Sequence, residues 1–305
     1  MQHKAPHIST ILVTGSNGQV GFELRRSLAP LGRVVALDRT ACDLSNPAAL
    51  REVVRHTRPE VIVNAAAYTA VDRAETEMEA AFAINGVAPG VLAEAARAAG
   101  SLLVHYSTDY VFSGEGTTPY SEEDAVGPLS VYGKSKLAGE QAIAEAGSQA
   151  IVLRTCWVAG VHGGNFAKTM LKLGCERDSL RVIADQFGAP TTAALIADVT
   201  AQIVSRAWLH GDRAAFPAGI YHLAASGETS WHGYASEVLR YAASKGVALK
   251  VAPEAIEAIP ATAYPLPAPR PSNSRLDTRK LRETFDIHLP DWQQGVHHLL
   301  DQVLS

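Results

Sequence analysis

Apolar residues in the first half of this chain come in short unbroken runs, not in alternation with polar ones. STILVTG (9–15), RVVALD (33–38), EVIVNAAA (60–67), SLLVHYSTDYVF (101–112) and QAIVLRTCWV (149–158) are such runs. They predict strands buried on both faces, as in a parallel sheet. The segments between them predict helices. GQVGFELRRSLAPLG (18–32) is ended by Pro30 and Gly32, and NPAALREVVRHT (46–57) opens on Asn46 as N-cap with Pro47 behind it. An Ala-rich helical region runs to Gly100, and VYGKSKLAGEQAIAEAG (131–147) is helical. Strand and helix alternating in this way predict a doubly wound parallel α/β sheet of Rossmann type.

The pattern loosens beyond residue 158. Helical stretches (165–175, 193–207, 231–245) mix with short strands (180–184, 219–223, 247–251), and residues 253–277 are rich in proline and predict an ordered extended loop. The expected organisation is a Rossmann-type domain over 1–158 and a smaller lobe built mainly from 159–305, with 193–224 returning to the first domain.

Composition narrows the function classes. The net charge of −4 over 305 residues argues against non-specific nucleic-acid binding. Three isolated cysteines (Cys42, Cys156, Cys175) offer no disulfide framework, which fits a reducing cytoplasm. The start, MQHKAPHISTILVTG, has too short an apolar run for a signal peptide, and no stretch is long enough to span a bilayer. The histidines lack metal-binding spacing, and the pair His297-His298 reads as surface or packing.

Candidate chemistry begins at TGSNGQVG. Gly15, Gly18 and Gly21 stand between a strand and a helix, where backbone amides can hold a pyrophosphate. Asp38 ends the second strand, where an acid binds ribose hydroxyls, and Arg39 behind it could favour a 2′-phosphate, so NADH and NADPH both stay open. Asp43-Leu44 and Ala65-Ala66-Ala67 lie at strand ends on the same sheet edge, the alanines reading equally well as strand–helix packing. Tyr132 and Lys136 share a helix face, and an ammonium beside a phenol lowers its pKa. Tyr241 and Lys245 repeat the spacing, so the spacing alone decides nothing. Position does: Ser107-Thr108-Asp109 leaves the sheet upstream of Tyr132, whereas Pro217 stands at the equivalent distance before Tyr241.

The glycine triplet, NAAAYTAVD (64–72), STDYVFSG (107–114) and YGKSK (132–136) resemble the extended short-chain dehydrogenase/reductases. RTCWVAG (154–160), NFAKTML (165–171), DQFGAPT (185–191), GIYHLA (219–224) and RPSNSRLD (270–277) narrow the resemblance to the dTDP-4-dehydrorhamnose reductases, over nearly the whole chain. The resemblance implies reduction of the C4 ketone of dTDP-4-dehydrorhamnose by NADPH or NADH. It implies Tyr132 as proton donor, Lys136 as its partner and Thr108 as the hydroxyl beside the carbonyl. It places Gly18, Gln19 and Val20 at the cofactor phosphates, Asp38, Asp43 and Leu44 at the adenosine half, and Ala66, Ala67 and Tyr68 at the middle of the cofactor. Asp109 and Trp157 would face the sugar, and Asn165, Lys168 and Arg270 the nucleotide diphosphate. Cys156 departs from the serine expected in RTSW, and several extra residues precede the first strand. The resemblance also raises a homodimer and an Mg²⁺ ion, for which no acidic motif can be matched. Two other readings remain: a related sugar-nucleotide epimerase, and a non-catalytic subunit resembling the regulatory subunit of methionine adenosyltransferase.

Overall fold

The computed structural model of the protein describes residues 8–305, so the extra residues at the start lie almost wholly outside the described residues. The five predicted strands form and are trimmed at their ends: β1 Thr10–Thr14, β2 Arg33–Leu37, β3 Val61–Asn64, β4 Leu102–Thr108 and β5 Ala150–Thr155. A sixth strand, Gly219–His222, joins β5, and the order is Gly219–His222, β5, β4, β3, β1, β2 with every pair parallel. The chain reverses its direction of winding at β1, where β2 lies on one side and β3 on the other, and a doubly wound fold opens a crevice there.

The unbroken apolar runs follow from burial on two faces. Ile11, Val13, Val61, Val63, Leu102, Val104, Ile151 and Leu153 point into one core. Their neighbours Leu12, Ile62, Leu103 and Val152 point into the other. The second face is covered by α2 (Pro47–Thr57), by the Ala-rich region and by α6 (Val131–Ala146). The Ala-rich region is not one helix. It divides into α3 (Val71–Ala74), α4 (Met78–Phe82), a π-helical turn at Ala83–Val87 and α5 (Ala88–Ala99). The first face is covered by α1 (Gln19–Leu28), by α8 (Ala193–Ile203) and by the residues that follow α8. Residues of the 193–223 stretch pack into the same core as the sheet.

A separate apolar cluster joins α7 (Phe166–Glu176), α9 (Trp231–Ser244) and α11 (Trp292–Leu304). One expected strand is absent: residues 247–251 are irregular, and Lys250 and Val251 donate their amides to Gly174 O instead of to a strand. The partner of Arg181–Ile183 is Glu257–Ile259, inside the proline-rich segment, whose 3-10 turns flank that short strand. Apolar character at 247–251 reflects packing of Leu249 and Val251 under the second lobe. No helix among the described residues is long and apolar enough to cross a membrane.

Candidate active site

A cleft of about 970 Å³ lies along the carboxyl edge of the sheet, reaching from the β2 end to the second lobe. Its walls include Gly15, Gly18, Gln19, Val20 and, at the far end, Thr108, Tyr132 and Lys136. Gly15 adopts a φ of 68°, a conformation that side chains rarely take, and a β-carbon there would stand 2.6 Å from Ala66 Cα. The alanines after β3 and the glycine turn are thus one device: both must be small for the two backbones to approach. The Ser16 and Gly18 amides are spent on Leu37 O and Gly15 O, and no side chain caps the first turn of α1, whose own amides are left to face an anion.

Asp38, Asp43, Leu44, Ala66, Ala67 and Tyr68 all line the same cleft. Asp38 Oδ1 accepts from the Thr40 and Ala41 amides and the Thr40 hydroxyl, and Oδ2 from Asn17 Nδ2. Chiefly the Thr40 hydroxyl holds its pKa below the usual carboxylate range. Asp43 is likewise lowered by the Ser45 amide and hydroxyl. Tyr68 donates its hydroxyl to Glu77 Oε2 at 2.6 Å, and its amide to Asn85.

The polar end of the cleft is set by two element termini. Thr108 closes β4, and Ser130 caps α6 by accepting from the Gly133 amide, which puts Tyr132 in the first turn. The Tyr132 ring meets Tyr110 edge-on, at 5.4 Å between centroids. Burial pushes its phenol up to about 12, and the Thr108 hydroxyl opposes the shift. The lowering by Lys136 expected from the spacing is absent: burial raises the phenol, the Asp109 carboxylate adds to the rise, and the Thr108 hydroxyl alone opposes it. Lys136 is itself 2% exposed, and its burial brings it down to about 8. Its Nζ donates to Tyr106 O at 2.6 Å and meets His105 Nε2 at 3.2 Å. Asp109 is buried, which raises its carboxyl to about 6. The Ser274 and Thr108 hydroxyls oppose that rise; Thr108 donates to Oδ1, and no hydrogen bond of good geometry reaches Oδ2.

Trp157 also lines the cleft, and its backbone is strained. Its φ of 46° is left-handed, yet it does not end a helix as the other such non-glycine residues among those described, Arg58 and Asp286, do. Strain of this kind, about 1–3 kcal/mol, collects at functional sites. It turns the indole onto Trp231, with ring centroids 3.7 Å apart and planes 16° from parallel. Gly188 makes room, because a β-carbon there would stand 2.7 Å from the Trp157 ring. Trp231 lines the cleft without having been singled out in the sequence, where an aromatic at a helix start carries no motif. His105 was missed too, although a histidine inside the apolar run of β4 is an oddity that could have drawn notice.

The three residues implied for a diphosphate do not line the large cleft. Asn165 caps α7 and donates its Nδ2 to Gln19 Oε1 and Gly160 O, facing a smaller adjoining cavity of about 130 Å³. Lys168 Nζ is turned onto the carbonyls of Val161 and Gly163. Arg270 pairs with Asp72 at 2.8 Å, leaving its buried Nη1 without a partner. Gln19 has a further role: its side chain accepts from the Gly160 amide at 2.7 Å and so ties the glycine turn to the second lobe. Cys156 is buried and donates to Ala189 O, and burial pushes its thiol up to about 12.

The second tyrosine–lysine pair stands elsewhere, on α9 against α11. Tyr241 donates to Asp301 Oδ1 at 2.8 Å, and Lys245 pairs with the same carboxylate at 2.7 Å. His297 stacks on Tyr241 and meets Glu237 at 2.8 Å. Among the described residues no group of three or more His, Cys, Asp or Glu side chains could hold a metal ion, so the site residues do not fit the Mg²⁺ raised by the resemblance.

Comparison with known proteins agrees with this geometry. Residues 9–305 match the family model described as the RmlD substrate binding domain. The chain is 50% identical over 299 residues to the dTDP-4-dehydrorhamnose reductase of Escherichia coli K12, covering 97% of this chain and 98% of that one. It is 49% identical over 295 residues to the enzyme of the same name from Burkholderia thailandensis, covering 97% and 99%. A crystal structure of dTDP-4-dehydrorhamnose reductase from Bacillus anthracis in complex with NADP superposes with a TM-score of 0.88 at 32% identity, over 97% of this chain and 100% of that one.

Proposed function

The chain belongs to the dTDP-4-dehydrorhamnose reductase family, and from that premise we propose that it reduces the C4 ketone of dTDP-4-dehydro-L-rhamnose with Tyr132 as proton donor. The observation that carries the reading is the meeting, in one cleft, of the glycine turn, Thr108, Tyr132 and Lys136.

The cofactor fits the walls of the cleft. The small-residue turn of Gly15, Gly18 and Gly21, with Gln19 and Val20, would hold its phosphates. Asp38, Asp43 and Leu44 would take the adenosine half, and Ala66, Ala67 and Tyr68 the middle. Asp38 already spends Oδ1 inside its own turn and Oδ2 on Asn17 of the glycine turn, and Arg39 lies on the same wall, an arrangement that accommodates the 2′-phosphate of NADPH. When bound, the reduced nicotinamide supplies a hydride to the ketone carbon.

The protein handles the charge and the proton. Negative charge grows on the ketone oxygen, where the Tyr132 phenol can donate, joined by the Thr108 hydroxyl when its proton turns from Asp109. A phenol held at about 12 keeps its proton at neutral pH, which suits a donor. Tyr132 gives that proton to the oxygen, and Lys136 stabilises the phenolate left behind. Asp109, whose Oδ2 is reached by no hydrogen bond of good geometry, would accept a sugar hydroxyl. The Trp157–Trp231 stack would lie against the apolar face of the deoxyhexose. Of Asn165, Lys168 and Arg270, Arg270 is best placed to take a phosphate through its unpartnered Nη1. The sheet with residues 193–224 would serve as the cofactor domain and the rest of 159–305 as the substrate lobe. Free cysteines suit a cytoplasmic setting.

The test is a coupled assay. dTDP-4-dehydrorhamnose is supplied with NADPH or NADH, and cofactor absorbance and sugar product are followed together. Stoichiometric cofactor loss with dTDP-L-rhamnose formed is expected; product without net cofactor consumption would instead indicate an epimerase.

A further inference from the structure

A row of polar side chains crosses the face of the sheet that α6 covers. Thr14, Asn64 and His105 are directly paired on β1, β3 and β4, so parallel register points all three to the same side. Leu37 and Val152 continue the row on either flank and are apolar. Each of the three polar residues is 1% exposed. Thr14 Oγ1 lies 2.6 Å from Asn64 Oδ1, Asn64 Nδ2 lies 3.0 Å from His105 Nδ1, and His105 Nε2 lies 3.2 Å from Lys136 Nζ. Three adjacent polar groups in an apolar face are expensive unless each is satisfied, so the row calls for a purpose.

Proton counting supplies one. Burial, together with the Lys136 charge, holds His105 well below its ordinary value, so the imidazole is neutral and carries one N–H. If Asn64 donates Nδ2–H to Nδ1, that N–H sits on Nε2 and can only meet Lys136 as an uncharged amine. If the Asn64 amide is turned, its oxygen accepts Nδ1–H and its Nδ2 donates to the Thr14 hydroxyl. Then Nε2 offers a lone pair to the Lys136 ammonium, and each of the three contacts in the row joins one donor to one acceptor. The row ends at Thr14 in the protein interior, so it is not a path for protons to solvent.

We propose that His105 is a positioning residue: as its Nδ1–H tautomer, fixed by Asn64, it accepts a hydrogen bond from the Lys136 ammonium and keeps that cation charged and aimed at the Tyr132 end of the cleft. This rests on Lys136 being the partner of Tyr132. The ammonium is otherwise held by Tyr106 O, a neutral group. On its own helix Glu140 faces it and favours the charge, but Glu140 is committed to Arg154 at 2.6 Å. The other ionisable groups packed about α6 include Tyr132 itself, Asp109 and Tyr110 after β4, Tyr68 beside Val131, Arg97 near the far end at Gly147, and Glu75, which accepts from the Val131 amide. None of these replaces a lone pair at His105 Nε2.

The decisive measurement is ¹⁵N NMR of the wild-type protein labelled at histidine, with His105 assigned through its backbone. A protonated, pyrrole-type Nδ1 and a pyridine-type Nε2 are expected at pH 7. A protonated Nε2 would overturn the inference. In catalysis, His105→Leu should lower kcat/KM by roughly tenfold or more, the scale of a lost hydrogen bond to a charged group. It should also move the alkaline limb of the pH profile down by about one unit, because the ammonium loses an acceptor. Asn64→Asp, which can only accept from Nδ1–H, should move the limb up, and His105→Gln should restore part of the rate through its carbonyl. A purely structural role would lower thermal stability without moving the limb in opposite directions. If folded His105→Leu kept the wild-type limb, or moved it up, the proposal would fail. If Lys136→Met kept wild-type turnover, the reading of Lys136 would fail while the tautomer stayed as expected, so the two failures are distinguishable.

Discussion

Two helices of this protein carry a tyrosine four residues ahead of a lysine, and the surroundings treat them in opposite ways. On α6, Tyr132 and Lys136 face a cleft, and burial shifts both away from their ordinary values, the phenol up and the ammonium down. On α9, Tyr241 and Lys245 share the exposed carboxylate of Asp301, which raises the lysine, and the ammonium also sits 4.9 Å from the Tyr241 ring. The first lysine is denied a carboxylate and held by a carbonyl and an imidazole; the second is neutralised on the surface. A cation kept buried without a partner acid costs free energy, and a fold retains it only where the charge is used. The spacing is common to both pairs, so the chemistry lies in desolvation and in what stands opposite.

The contrast is sharpest in turnover. Tyr132→Phe should fold, bind cofactor and lose roughly 10²–10⁴ in kcat, the usual worth of general acid catalysis. Near-wild-type kcat in a purified sample would end the assignment. The two helices should also differ in how they tolerate loss of their carboxylates. Glu140→Ala on the α6 side strands the buried Arg154, whose partner lies 2.6 Å away, and should cost about 3–5 kcal/mol in denaturant unfolding. Asp301→Ala on the α9 side should move the unfolding midpoint very little, because that pair is exposed. A smaller test uses pH. Lys136, at about 8, is charged below that pH and loses its proton above it, so kcat/KM should fall up to tenfold per unit as pH rises past about 8. A profile flat to pH 10 would remove the ammonium from the reaction. Smallest of all, Tyr241→Phe and Lys245→Met should leave steady-state kinetics unchanged; a large loss in either would reverse the comparison.

Much of the site was legible in the sequence because some of its requirements are local. A glycine turn between strand and helix, an acid at a strand end and a strand-end threonine are each written in a few consecutive residues. The residues that escaped are those whose meaning depends on partners far along the chain. Trp231 gains its role from Trp157, and His105 from Asn64 and Lys136. The same limit predicted a strand at 247–251 from apolar character that serves packing.

The sequence by itself determined the doubly wound sheet, because unbroken apolar runs separated by capped helices can be buried only between two helical layers. It also determined the glycine turn, since only small residues let β1 and the end of β3 approach. Tertiary structure alone decided which tyrosine–lysine pair is desolvated, how Trp157 is turned, and what holds Lys136. Those depend on burial and on hydrogen bonds between residues tens of positions apart, and neither quantity is carried by the identity or the spacing of the residues themselves.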